Sequence, residues 1–230
     1  MSNEMGSMVG WVVAASILGF AISAVFAGWL RLERRRFLVP YVGLVSLFLY
    51  GFVALNEIDL VDMLTANWVW GTLAGTLVSV FLVKTVRAQL FSRQSSGMAL
   101  IFDIGWAGLV YGMVDALFLN VIPVIAVWLG SSSLGWAATP IGKIAVGVAG
   151  LFASLLVTLA YHLGYPEFRN RNVGMVLAGN SVITLAFLLS GSPLGSILSH
   201  TVMHIAAVLQ GAETTIQLPP HYRTQSIKAR

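Results

Sequence analysis

MVGWVVAASILGFAISAVFAGWL, residues 8–30, is one long apolar run, and RLERRR at 31–36 closes it with Arg31, Arg34, Arg35 and Arg36. About 20 apolar residues suffice for a helix to cross roughly 30 Å of hydrocarbon, so the run reads as a membrane helix. A cleaved secretory signal has a basic leader and a shorter apolar stretch ending in small residues. Here Glu4 and no base precede the run, and arginines follow it. The expectation is a first span kept in the mature protein.

Working outward, further runs of spanning length fall at about 37–55, 68–84, 98–119, 142–164, 173–190 and 193–210. Only 10% of the 230 residues are charged and 57% are hydrophobic. Soluble domains carry about 25% charged residues, so this chain has too little polar surface to face water. The absence of cysteine excludes disulfides, iron–sulfur clusters and thiolate zinc sites.

The segment 120–136, with Pro123, Trp128 and the serines 131–133, is ambiguous between an eighth span, a re-entrant piece and an interfacial helix. Basic residues in short loops set orientation and resolve the choice. With the N-terminus outside and seven spans, Arg31, Arg34, Arg35, Arg36, Lys84, Arg87, Arg93, Arg169, Arg171, Arg223, Lys228 and Arg230 are inside, and only Lys143 is outside. An eighth span would expose the last five of the twelve. The expected fold is therefore all-α: a polytopic transmembrane bundle of seven spans, residues 1–210, N-terminus outside. A cytoplasmic tail follows at 211–230, and 120–140 forms an outer-face excursion. Glu57, Asp59 and Asp62 fall in an outer loop, and Trp68, Trp70, Trp128 and Trp136 near the outer boundary form an aromatic belt. The net charge of +4 then reflects loops beside anionic lipid of the plasma membrane, not nucleic-acid binding. Gly71 and Gly75 form a GxxxG pair that marks close packing within the monomer.

An ionisable side chain within a span costs about 2.5–3.5 kcal/mol on insertion scales, so each one needs a reason. Those here are Asp103, Asp115, His162, His200 and His204, with Asn180 as a polar neighbour. Counted at about 1.5 Å per residue from the inner boundary, His162 is roughly 3 Å deep, His204 8 Å, Asp103 9 Å, Asn180 11 Å and His200 14 Å. Asp115 falls in the outer half, apart from the rest and one turn from Tyr111.

His200 and His204, four apart, share a helix face, the spacing with which one helix gives a metal two ligands. A third ligand from His162 or Asp103 would leave an open position for water, activated for hydrolysis by zinc or another divalent metal. The same pair also suits interhelical hydrogen bonding, worth about 0.6 kcal/mol per contact, or haem. Asp103 also reads as a carboxylate paired to a cytoplasmic arginine, and His162 as an interfacial residue. Asp115 reads as a neutral acid bonded to Tyr111 or Asn120, or as a proton relay.

Ser199-His200-Thr201-Val202-Met203-His204 resembles the last-helix motif of the progestin and adipoQ receptor family, related to alkaline ceramidases. That likeness implies a seven-span metal-dependent hydrolase with His200 and His204 on zinc. The chain departs from it in having no His in spans 1–3 and a last helix of opposite direction. The order Asp115, His162, His200 with His204 is similar to that of the CPBP (CAAX protease and bacteriocin-processing) intramembrane proteases. There the departures are the missing Glu-Glu motif and the missing arginine after it. Microbial rhodopsins share the seven-span layout but need a lysine in the last span, which residues 193–210 lack.

Two functions are thus expected. One is a metal-dependent hydrolase acting on lipid or membrane-embedded peptide, with His200, His204 and His162 or Asp103 as ligands and the remaining acid, Asp103 or Asp115, as base. The other is a non-enzymatic transporter or haem-binding subunit using the same residues.

Overall fold

Among the described residues, six helices long and apolar enough to cross a membrane and a shorter apolar seventh pack into a bundle. A computed structural model describes residues 2–91, 95–132 and 135–211. Of the tail expected at 211–230, all but Gly211, and so Arg223, Lys228 and Arg230, lies outside the described residues, as does Arg93. The long helices are α1 (Gly6–Trp29), α2 (Arg34–Leu55), α3 (Trp68–Arg87), α4 (Met98–Ser132), α5 (Pro140–Leu163), α6 (Asn172–Ser190) and α7 (Leu194–Gln210). The first six are long and apolar enough to cross a membrane, and α7 is apolar but shorter. No strand occurs among the described residues. Side chains such as Leu47, Leu77, Phe81, Ile141, Phe152 and Leu189 point outward and exposed, the surface lipid would cover.

Contacts between helix ends define the bundle. At one end Arg35 pairs with Asp103, Gln210 Nε2 donates to the Gln89 carbonyl, and Gly28 abuts Gly164. At the other, Gly130 lies against Met8, Gly71 against Ser192, and Gly191 against Asn67. The described bases segregate accordingly. Arg31, Arg34, Arg35, Arg36, Lys84, Arg87, Arg169 and Arg171 belong to the first end, and Lys143 to the second.

The loop between α2 and α3 holds a short helix, Leu60–Thr65. Asp59 caps it, accepting from Val61 N at 2.8 Å and Asp62 N at 3.0 Å, and so satisfies amides that lack partners at a helix start.

The largest departure from expectation is α4. The run expected at 98–119 does not end there but continues to Ser132 as a 35-residue helix, 72% of its apolar window buried. Segment 120–132 is its continuation rather than a surface excursion. Pro123 does not break it, because the π-helical stretch Leu117–Val121 directly precedes. Wider turns of this kind re-accommodate backbone groups that a proline leaves unpaired. A second π-helical stretch, Ile104–Val110, lies one short α segment earlier. Around α4 sits an aromatic core in which Phe37, Tyr41, Phe52, Phe118 and Tyr161 are fully buried.

Helix α7 meets two other helices through glycines. Gly71 and Gly75 of α3 lie against Ser192, Leu194, Gly195 and Leu198. Farther along α7, Gly108 of α4 meets Ile205, and Gly112 meets Thr201 and His204. Without a hydrophobic force between helices in lipid, such small residues gain van der Waals contact by letting backbones approach.

Candidate functional site

The glycine contact at Gly112 fixes the register of α7 on α4 and thereby brings Asp115 to the histidine pair. Asp115 is therefore not set apart in the outer half. It lies near the middle of the long α4, where counting from a span ending at 119 misplaces it. Asp115 Oδ2 is 3.1 Å from His200 Nε2 and 3.5 Å from His204 Nε2. All three residues are buried, and one ligand atom from each lies within 4.8 Å of the others. This group has the spacing to hold a metal ion. The two imidazoles are parallel and stacked, as four-residue spacing on one helix favours.

Each member has its own surroundings. Tyr41 donates from its hydroxyl to Asp115 Oδ1, leaving Oδ2 for the histidines. His200 Nδ1 is 2.8 Å from Asn120 Oδ1. Both ring nitrogens of His204 are buried with no hydrogen-bond partner among the described residues, while the Tyr111 ring packs edge-on against it at 4.6 Å. A buried polar group left unpaired costs about 1–3 kcal/mol, so His204 points to something beyond packing.

Behind the cluster lies a buried amide and hydroxyl network. Asn120 Nδ2 donates to Asn180 Oδ1 at 2.7 Å and Thr184 Oγ1 at 2.9 Å. Asn180 Nδ2 donates to Ser154 Oγ at 2.9 Å, and Ser154 Oγ donates to the Leu119 carbonyl at 2.7 Å. Beside Tyr41, Tyr165 donates to Tyr161 at 2.7 Å, and the Tyr161 and Tyr111 hydroxyls are 3.0 Å apart.

His162 and Asp103 stand elsewhere. His162 is outside the three-residue group but lines a cavity of about 40 Å³ together with Asp115, His200, Tyr111 and Thr158. Its Nδ1 is 2.8 Å from the Thr158 carbonyl. A carbonyl only accepts, so Nδ1 carries the proton and Nε2 keeps its lone pair. Asp103 receives two hydrogen bonds from Arg35, each 2.7 Å, and one from Ser95 at 2.7 Å. That is the interfacial ion pair weighed for it from sequence.

Tyr41, Ser154 and Thr184 are the residues sequence reasoning did not single out. Hydroxyls in apolar helices are common and carry no spacing signal. Asp115 and Asn120, five apart, would not share a face in an α-helix, and the intervening π-helical turns bring both toward α7. Compared with family models, curated proteins and solved structures, the chain matches none.

Proposed function

We propose that this is a seven-span membrane protein, N-terminus outside, whose Asp115, His200 and His204 hold a divalent metal for hydrolysis of a lipid or membrane-embedded peptide. The orientation is supported by the bases gathered at one end of the bundle, since that end would face the cytoplasm. The seventh span is supported by α7 running along α3 from Gly71 to Gln89.

The metal reading rests on one observation: a buried carboxylate oxygen faces two imidazole nitrogens, and one imidazole has no other partner. Oxygen and nitrogen lone pairs this close need a proton or a cation between them. Each neutral imidazole carries one N–H that could serve, yet His204 Nε2, 3.5 Å from Oδ2, makes no hydrogen bond, whereas a cation would use all three groups. Ligands about 2.0–2.1 Å from a tetrahedral ion stand about 3.4 Å apart, close to the 3.1 and 3.5 Å found. An N₂O donor set suits zinc.

Such an ion polarises a carbonyl and lowers the pKa of a water toward neutrality. The chain supplies the rest. Tyr41 holds Asp115 in place, and the cavity has room for water, which needs about 10–15 Å³. His162, which lines the same cavity and keeps a lone pair at Nε2, could take the proton that water would give up. Apart from Asn180, the remaining wall is apolar, with Leu82, Val176, Ile183 and Met203, and it reaches Met175, which is exposed on α6. Approach is thus from lipid, which favours a lipid or apolar peptide. Asp103, held by Arg35, has no part in this chemistry. At 40 Å³ the cavity leaves no room for haem, and three converging groups suit a metal better than a conducting file.

Elemental analysis of the purified full-length protein tests the reading. About one divalent metal per chain is expected, falling well below that in Asp115→Asn and His204→Ala, with loss of hydrolysis of a lipid-ester probe. A folded wild-type protein that retains no metal after dialysis against zinc overturns it.

A further inference from the structure

The network behind His200 has a fixed direction, set by the carbonyl of Leu119, which can only accept. Ser154 Oγ lies 2.7 Å from that carbonyl oxygen, and two oxygens so close must share a proton. Only Ser154 can supply it, and it has one.

Every later contact then follows. The Asn180 atom 2.9 Å from Ser154 Oγ must be a donor, hence the amide nitrogen. The other side of Asn180 is therefore oxygen, and the Asn120 atom 2.7 Å from it must be nitrogen. Asn120 consequently turns its oxygen to His200 Nδ1 at 2.8 Å, and Nδ1 must bear a proton. Reversing either amide would place two oxygens or two amino groups in contact.

We infer that Asn120 is a positioning residue: the chain Leu119–Ser154–Asn180–Asn120 holds His200 as its Nδ1–H tautomer, with Nε2 presented to the space shared with Asp115. Four helices, α4, α5, α6 and α7, contribute to it. The tautomer follows from the contacts alone, whereas its use rests on the proposed metal, because ligating histidines donate their second ring N–H to an oriented acceptor. His162, on the same cavity, is set in the same sense by the Thr158 carbonyl of its own helix.

Nitrogen-15 NMR of histidine-labelled, metal-free full-length protein reads the tautomer directly. The wild type is expected to show His200 protonated at Nδ1. Asn120→Leu removes the acceptor, so His200 should move its proton to Nε2, facing Asp115, and zinc affinity should fall about 10–100-fold. Asn120→Asp keeps an acceptor and should retain the Nδ1–H form and most of the affinity. Ser154→Ala combined with Thr184→Val, neither of which touches His200, removes both hydroxyl anchors of the amides and should yield a mixture of tautomers. A neutral wild-type His200 protonated at Nε2 overturns the inference, as does an Asn120→Leu protein with unchanged tautomer and affinity. If Asn120→Leu fails to fold, the wild-type spectrum still decides. A wild type that binds no zinc yet shows the Nδ1–H form supports the relay and overturns only the metal reading.

Discussion

The imidazoles of His200 and His204 lie parallel, their centroids 5.0 Å apart and their planes inclined by 3°. The pair is held side by side against one carboxylate oxygen of Asp115, with only His200 anchored at its far nitrogen. Metal removal should therefore be felt in stability. A ligand bound only by the folded state at 100 times its Kd adds about 2.7 kcal/mol. Chelation should lower the thermal midpoint of the wild type and leave His204→Ala nearly unmoved. Equal shifts in both proteins would count against a site that includes His204.

Tyr41→Phe removes the hydroxyl that donates to Asp115 Oδ1. The buried acceptor left behind costs about 1–3 kcal/mol. Loss of an outer partner of a ligand also typically lowers metal affinity about 10–100-fold. Competition with a chromophoric chelator measures the second effect, and unaltered zinc affinity would show that Tyr41 does not orient the carboxylate.

A methyl at Gly112 would meet Thr201 Cα at 2.9 Å and His204 Cβ at 3.2 Å. Backbone cannot yield as a side chain does, so Gly112→Ala should cost about 1–3 kcal/mol as overpacking and displace His204. Gly174→Ala is the control, with nothing within 4 Å of the added carbon. Denaturation in detergent should separate the two, and equal stability would mean that α7 has slack against α4.

Arg35 and Asp103 form a geometrically good pair, yet the arginine side chain is 52% exposed. Exposed pairs contribute about 0.2–1 kcal/mol. Asp103→Asn should cost no more than this and leave bound metal unchanged. A fall in metal content would return Asp103 to the site.

Topology is open to direct test. A reporter fused after Arg230 should be active in the cytoplasm, and a tag before Met1 should be reached by membrane-impermeant reagents from outside. A C-terminal fusion active only outside would overturn the seven-span arrangement.

Much of this fold was legible because lipid simplifies the code: apolar length marks helices and arginines mark one end. The pairing of His200 with His204 was legible too, since it depends on local spacing alone. The partnership with Asp115 was not. It depends on where α4 ends, and Pro123 with the serines after it suggests a break that the π-helical turn before Pro123 absorbs. Nor was the amide chain legible, because Asn120, Ser154 and Asn180 meet only through the packing of three helices. The close approach at Gly108 and Gly112 repeats the Gly71–Gly75 spacing and could have been read as a second helix contact.

At 35 residues α4 is about 52 Å long, while a bilayer core measures roughly 30 Å. A lipid-facing helix of that length would tilt strongly or deform the membrane to relieve hydrophobic mismatch. Because most of α4 is packed against its neighbours, mismatch would be felt chiefly at its exposed ends, such as Met98, Ile101, Phe102 and Trp128, and at the outer helices. Asp115, near the midpoint of α4, sits where that helix is most enclosed, with Ala116, Phe118, Leu119 and Asn120 buried beside it. The depth of the cluster is set by protein contacts, so bilayers of shorter or longer chains can reshape the rim while the distances among Asp115, His200 and His204 stay as they are.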